Sequence, residues 1–387
     1  MADREVVRNY LRELVMASFE KRSPYMMPEG ITLDDITEMA QKGQMQCLLL
    51  GPLINICEDG DNKEKLKKLI RYSLHRAFLQ GMESKTISDA LEKAGVKHQL
   101  LKGSVLRWFY SEPQYREMSD IDIIIYEESL DEAAKVIEKL GFKNKGLVKH
   151  HMIFEKEGGV SVEAHWSLFD KNVDNFQFLY YKDNFRAGLV KGKQYTYEFS
   201  KEDFYVYMIS HMAKHFFETG CGIRNLLDIY IYITKFGKEM DMDYIAGELQ
   251  KCGIFDFEEK MRKMSFIWMD MEECPDFYEN LFAYMLDSGI YGKGENGVWS
   301  QLAKETFSGN SNLKLHYYFP SINFMREKYP WLEKAPILLP VAWVMRGICA
   351  VASKESRKHK EEFLSAGEEK TKVMLDIYHN LKLDFRR

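Results

Sequence analysis

Asp120 and Asp122 stand two residues apart where a polar loop runs into Ile121, Ile123, Ile124 and Ile125. Alternate residues of a strand project to the same side, so this spacing puts both carboxylates on one face. Ile121, Ile123 and Ile125 then point together to the other. Two carboxylates held this close repel each other, and their hard oxygens suit Mg²⁺ or a similar divalent cation. A D-x-D pair alone is common on surfaces, but here it opens a strand that is otherwise pure isoleucine. A second signal is Lys102-Gly103-Ser104, between a short strand pattern and a short apolar helix. Glycine admits a ligand close to the backbone, and a helix start offers free N–H groups to an anion. Ser104 can cap that start or meet a phosphate oxygen, and Lys102 can neutralise one. Gly-Ser by itself is an ordinary tight turn with a cap. The third signal is Glu163. Val160, Val162, Ala164 and Trp166 alternate with Ser161, Glu163 and His165, which leaves Glu163 mid-strand on a polar face. It joins the two aspartates only if its strand lies beside theirs; otherwise it is an exposed hairpin residue.

These residues sit in a stretch whose pattern differs from both flanks. Helical spacing covers residues 6–19, and a Thr32-x-x-Asp35 capping signal opens a helix expected over 32–50. Residues 63–94 read as a long amphipathic helix. From Gly95 the chain alternates: a strand at 96–101, a short helix at 105–110, a strand at 119–125 and a helix at 130–140. Two strands at 149–156 and 160–167 follow, joined by the turn signal Glu157-Gly158-Gly159. Beyond Phe199 helical spacing returns over 204–217, 223–236, 243–252 and 257–271, with turns at 289–297 and 308–312. The charged last 35 residues read as a solvated helix. The expected fold class is α+β, with an α/β core of mixed sheet flanked by helices. The organisation is 1–94 helical, 95–199 core and 200–387 helical.

Other candidates carry less weight. His211 and His215 are spaced as metal-binding histidines often are, with Asp228 as a further ligand of a second metal site, but no Glu follows the first, and packed or solvated histidines are the better reading. Arg224 and Asp228, four apart, are first an i, i+4 ion pair, and Arg224 on a triphosphate is a secondary reading. His150 and His151 read as strand-edge residues without a role. The basic residues from Lys63 to Arg76 spread around a helix, as on a solvated surface.

Composition bounds the function classes. With 54 basic and 59 acidic residues the formal net charge is −5, so no global basic field recruits nucleic acid. Six cysteines, at 47, 57, 221, 252, 274 and 349, form no C-x-x-C pair and read as reduced, mostly buried thiols. The charged N-terminus lacks the apolar stretch of a secretory signal, so a cytoplasmic protein is expected. The strongest apolar run, residues 336–345, is too short to span a membrane and reads as the start of a buried helix, with membrane-surface contact the lesser reading.

The order and spacing of the three signals resemble the nucleotidyltransferase fold of the DNA polymerase β superfamily. The stretches LLKGSVLRWFY (100–110), REMSDIDIIIY (116–126) and VSVEAHWSLF (160–169) carry the likeness. With HMAKHFF (211–217), IRNLLDIYIYI (223–233) and MREKYPWLEKAP (325–336), they look like the bacterial uncharacterised nucleotidyltransferase family. The gap from Ser104 to Asp120 is longer than in many relatives, which leaves residues 111–119, Arg116 included, without an assignment. The resemblance implies that Asp120 and Asp122 hold two divalent ions, Mg²⁺ or Mn²⁺, with Glu163 completing the site and able to act as general base. It implies that Gly103 and Ser104 cradle the β- and γ-phosphates of an NTP, with Lys102 as a further contact. The implied reaction moves NMP to the hydroxyl of a small-molecule, sugar, peptide or protein acceptor, with pyrophosphate released. A kinase or phosphohydrolase using the same carboxylates, and a non-catalytic nucleotide-binding or scaffold protein, are the competing readings. The acceptor, the base of the NTP and the oligomeric state are not written in the sequence.

Overall fold

The chain folds as α1 (Arg4–Phe19), α2 (Leu33–Gly43), α3 (Gln46–Leu50) and α4 (Gly60–Lys93), then β1 (His98–Leu100), α5 (Gly103–Leu106), β2 (Ile121–Ile125) and α6 (Leu130–Lys139). Three strands follow, β3 (Lys143–Val148), β4 (His151–Lys156) and β5 (Val160–His165), then α7 (Asn175–Asn184), β6 (Ala187–Leu189) and β7 (Tyr197–Phe199). The remainder is helical: α8 (Lys201–Glu218), α9 (Arg224–Phe236), α10 (Met242–Lys251), α11 (Phe255–Asp270), α12 (Asp276–Ser288), α13 (Ile322–Lys328), α14 (Leu339–Ala352) and α15 (Glu368–Leu381). The computed structural model describes residues 3–148, 150–170, 175–184, 186–293, 296, 299, 303, 318–320, 322–352 and 368–383.

Local chemistry explains most boundaries. The Thr32 hydroxyl accepts from the Asp35 amide while the Asp35 carboxylate accepts from the Thr32 amide, a closed capping box. The single helix expected over 32–50 is two helices. Gln44 adopts φ 49°, an uncommon conformation for a residue with a side chain, and ends α2. Its amide is tied to Ser119 (3.0 Å) and Tyr291 (2.7 Å), contacts that no local pattern announces. The helix expected over 105–110 is the single turn α5 followed by a 3₁₀ turn. The exposed β3, and α7, β6 and β7, were not anticipated; β3 reads Lys-Asn-Lys-Gly-Leu-Val, without alternation, because it is a solvated edge strand.

The five-stranded sheet has the order β1-β2-β5-β4-β3. β2 and β5 are parallel and the other neighbours antiparallel, so the sheet is mixed and the fold α+β, as expected. Ile121, Ile123, Ile125, Val162 and Ala164 form its buried face with Ile87 and Leu91 of α4 and Ala133 and Ile137 of α6. On the opposite face Ile124 joins Leu101, Phe169, Tyr181 and Tyr207, which brings α7 and α8 over the sheet. A separate core merges the helices from both ends of the chain: Leu11, Leu14, Leu48 and Leu66 pack with Phe216, Leu227, Phe257, Trp268 and Leu281. α4 is therefore the beam between two cores, with Leu66 in one and Leu91 in the other.

Three expectations change. α15 is not simply solvated, because Met374, Ile377, Tyr378 and Leu381 are buried in the helical core. Residues 353–367, like 294, 295 and 297 and all of 308–312, lie outside the described residues. The apolar run at 336–345 begins an exposed helix: Ile337, Val341 and Val344 face outward, since α14 packs only on a small cluster around Met325, Tyr329 and Leu332. The six cysteines are unpaired, but three are buried, two half-buried and Cys349 exposed. No described helix is long and apolar enough to cross a membrane.

Candidate active site

The parallel register sets Asp122 directly opposite Glu163, on the face turned away from α4 and α6. Asp120 lies one residue ahead of β2. At the end of β1 the chain turns sharply, and Lys102 takes φ 43°. Its ammonium reaches across to Asp122, Nζ to Oδ1 2.7 Å. His165, two residues after Glu163 on the same face, donates from Nε2 to the same Oδ1 at 2.9 Å and lies 3.4 Å from Glu163 Oε2. Asp122, Glu163 and His165 thus present ligand atoms within 4.8 Å of one another. The alternation that singled out Glu163 also placed His165 beside it, and only the absence of an expected role left it aside.

The charges in this pocket are unequal. Burial, reinforced by Asp122, raises the Asp120 carboxyl to about 7. Burial alone would raise Asp122 too, but Lys102 and His165 reverse it and hold that carboxylate well below its ordinary range. Burial works against the charge on His165, yet its bonds to Asp122 and Glu163 outweigh this and raise its pKa. The hydrogen bond from His165 keeps Glu163 low. Asp122 and Glu163 therefore converge with His165, protein cations stand on both, and Asp120 lies outside that tight group but near enough to feel both charges. Hard oxygen donors, cationic groups drawn onto them and a third carboxyl raised by burial and by Asp122 fit a divalent ion.

Gly103 and Ser104 are buried at the foot of the site. The Ser104 hydroxyl lies 4.0 Å from the Met118 sulfur, and the Ser104 amide donates to the Leu101 carbonyl. A Cβ on Gly103 would fall 2.8 Å from Met118 Cγ and Sδ. Gly103→Ala should cost about 1–3 kcal/mol through overpacking. In urea unfolding, Gly103→Ala with Met118→Ala should cost less than the sum of the two single variants.

The unassigned segment 111–119 is the mount of the site. The Arg116 guanidinium grips Asp228 of α9 through two parallel bonds, Nε to Oδ1 2.8 Å and Nη2 to Oδ2 3.0 Å. Tyr110 donates to the same carboxylate at 2.7 Å. The Glu117 carboxylate accepts from the Cys47 amide at the start of α3. From α4, Arg76 donates to the Ser119 carbonyl (2.6 Å) and Gln80 to that of Met118 (3.1 Å). Arg76 is thus structural and not part of a solvated surface. The expected Arg224–Asp228 pair does not form, because Arg116 occupies the carboxylate; Arg224 donates instead to the Glu117 carbonyl (2.8 Å) and to Gln44. Burial and the neighbouring Arg116 lower the Arg224 pKa to about 9. His211 and His215 bond each other at 3.0 Å, far in role from Asp228. Burial and the charge of Lys102 hold His211 well below its ordinary pKa, so this part of α8 borders the site.

A family model described as uncharacterised nucleotidyltransferase matches residues 30–270. Neither the curated proteins nor the solved structures contain a match.

Proposed function

Since the chain belongs to the uncharacterised nucleotidyltransferase family and is a transferase acting on a nucleoside triphosphate, we propose that it transfers NMP to an acceptor hydroxyl with release of pyrophosphate. The observation that carries this reading is the register that sets Glu163 opposite Asp122, with Asp120 and Lys102 at the same end of the sheet. Asp120, Asp122 and Glu163 would hold two divalent ions, Mg²⁺ or Mn²⁺. When bound, such ions polarise the phosphates and acidify the acceptor hydroxyl. The acceptor oxygen forms a bond to the α-phosphorus as the bond to the bridging β-oxygen breaks, and pyrophosphate leaves with that electron pair. The hydroxyl proton passes to Glu163, which its contact with His165 keeps ionised. Lys102, released from Asp122, neutralises the triphosphate, and Gly103 and Ser104 frame its β- and γ-phosphates. The helices on either side of residues 95–199 shape the acceptor pocket. The net charge of −5 favours a small-molecule, sugar, peptide or protein acceptor over nucleic acid.

The test is incubation with α-labelled and γ-labelled NTPs, Mg²⁺ or Mn²⁺ and host extract, with Asp120→Ala as control. Label from the α-position should appear in a product, and not with the control. Label from the γ-position would identify a kinase and overturn the proposal, as would turnover undiminished in Asp120→Ala.

A further inference from the structure

The sheet carries a second group of metal-ligating side chains that the transfer reaction does not use. His151 opens β4, His150 precedes it, and the antiparallel register pairs His151 with His165 near the end of β5. The three rings close on one another, with centroids 5.5 Å apart for His150–His151 and His150–His165 and 4.9 Å for His151–His165. One nitrogen from each lies within 4.8 Å of the other two. His150 and His165 are 8% and 6% exposed, so this is not a solvated strand edge.

The hydrogen bonding is incomplete in the same place. Nδ1 of His150 and Nδ1 of His151 are both buried and have no hydrogen-bond partner among the described residues. A buried polar atom without a partner is destabilising, and packing gives no reason to keep two of them side by side. Burial first, then the charges of Lys214 and His165, lower the His150 pKa to about 3, and burial lowers that of His151. A metal ion would supply the partner that these two ring nitrogens lack. The Asp170 carboxylate stands 3.8 Å from His150 Nδ1, where it can orient the ring or add an oxygen ligand.

We propose that His150, His151 and His165 form a site for one transition-metal ion of the Zn²⁺ class, distinct from the carboxylate site and adjoining it through His165. Imidazole nitrogens select Zn²⁺, Co²⁺ or Ni²⁺ over Mg²⁺, which prefers oxygen, and His165, held against Asp122 in the empty site, gives up a proton when the ion binds. Bonds of about 2.0–2.1 Å in a tetrahedral set require nitrogens roughly 3.4 Å apart. His165 also hydrogen-bonds Asp122, so an ion on the triad takes a partner from that carboxylate.

The test uses the full chain, stripped with a chelator, dialysed and titrated with Co²⁺ in excess Mg²⁺. One equivalent should bind and give the visible absorption of low-coordinate Co²⁺, and Zn²⁺ should displace it. His151→Gln, at a half-buried position, should weaken binding at least about tenfold, as should His150→Gln where a thermal melt shows it folded. Asp120→Asn should leave binding within about threefold of the parent, because Asp120 belongs to the carboxylate site alone. Co²⁺ binding unchanged in His151→Gln would overturn the proposal. So would its loss in Asp120→Asn, which would assign the ion to the carboxylates.

Discussion

Replacement of Asp122 by alanine should lower NMP transfer by more than about a thousandfold, on the scale of removing a principal electrostatic group from an active site. Asp122 touches more of the site than any other carboxylate, since Lys102 and His165 share its Oδ1 and Glu163 lies opposite in the register. Alanine removes a proposed metal ligand and also leaves an ammonium and an imidazolium without their counter-charge. Lost transfer must therefore be separated from lost structure, because removing one partner of a buried charge pair costs about 3–5 kcal/mol. Asp122→Asn makes that separation. Its amide oxygen still accepts from Lys102 or His165 but carries no charge, so it should melt between the parent and Asp122→Ala while transfer from α-labelled NTP collapses. A folded Asp122→Asn protein with more than about a tenth of parental activity would remove Asp122 from the machinery.

The second large effect is expected far from the phosphates. Asp228→Ala should lower stability by about 3–5 kcal/mol, because it strands the buried Arg116 guanidinium. The structural cause is specific: Arg116 makes both bonds of a bidentate pair to Asp228, Tyr110 adds a third, and each partner is almost fully buried. Urea unfolding should show the loss as a lower midpoint at unchanged slope. The double variant Arg116→Met with Asp228→Leu should recover at least half of it, since no charge is then left buried alone. A loss below about 1 kcal/mol in Asp228→Ala would mean that segment 111–119 is held by its contacts to Gln44, Cys47 and α4 instead.

Arg116 also marks where reading the chain in one dimension stops. Its nearest charged neighbour in sequence is Glu117, yet its partner lies 112 residues away. Arg224 paired with Asp228 is the sound local expectation from helical spacing. It fails because a residue from another element reaches the carboxylate first with better geometry. His165 is a different case. Its face was fixed by alternation beside Glu163, and what was missing was the knowledge that β2 would lie alongside β5 to supply Asp122. His150 and His151 likewise gained significance only when the β4–β5 register carried them to His165.

The sequence by itself determined what depends on period and local chemistry. Alternation set the faces of β2 and β5, Thr32 and Asp35 started α2, and helical spacing located α1, α4 and α8 to α11. It also determined the family, because the residues around Gly103, Asp120 and Glu163 stand in order within one stretch. Tertiary structure alone decided which strands are neighbours, which partner each buried charge takes, and that helices from both ends of the chain share one core. The physical reason is range. A side chain's face follows from the backbone period within a few residues. A buried charge instead takes the partner that best offsets its desolvation, and that partner can come from anywhere the fold brings close.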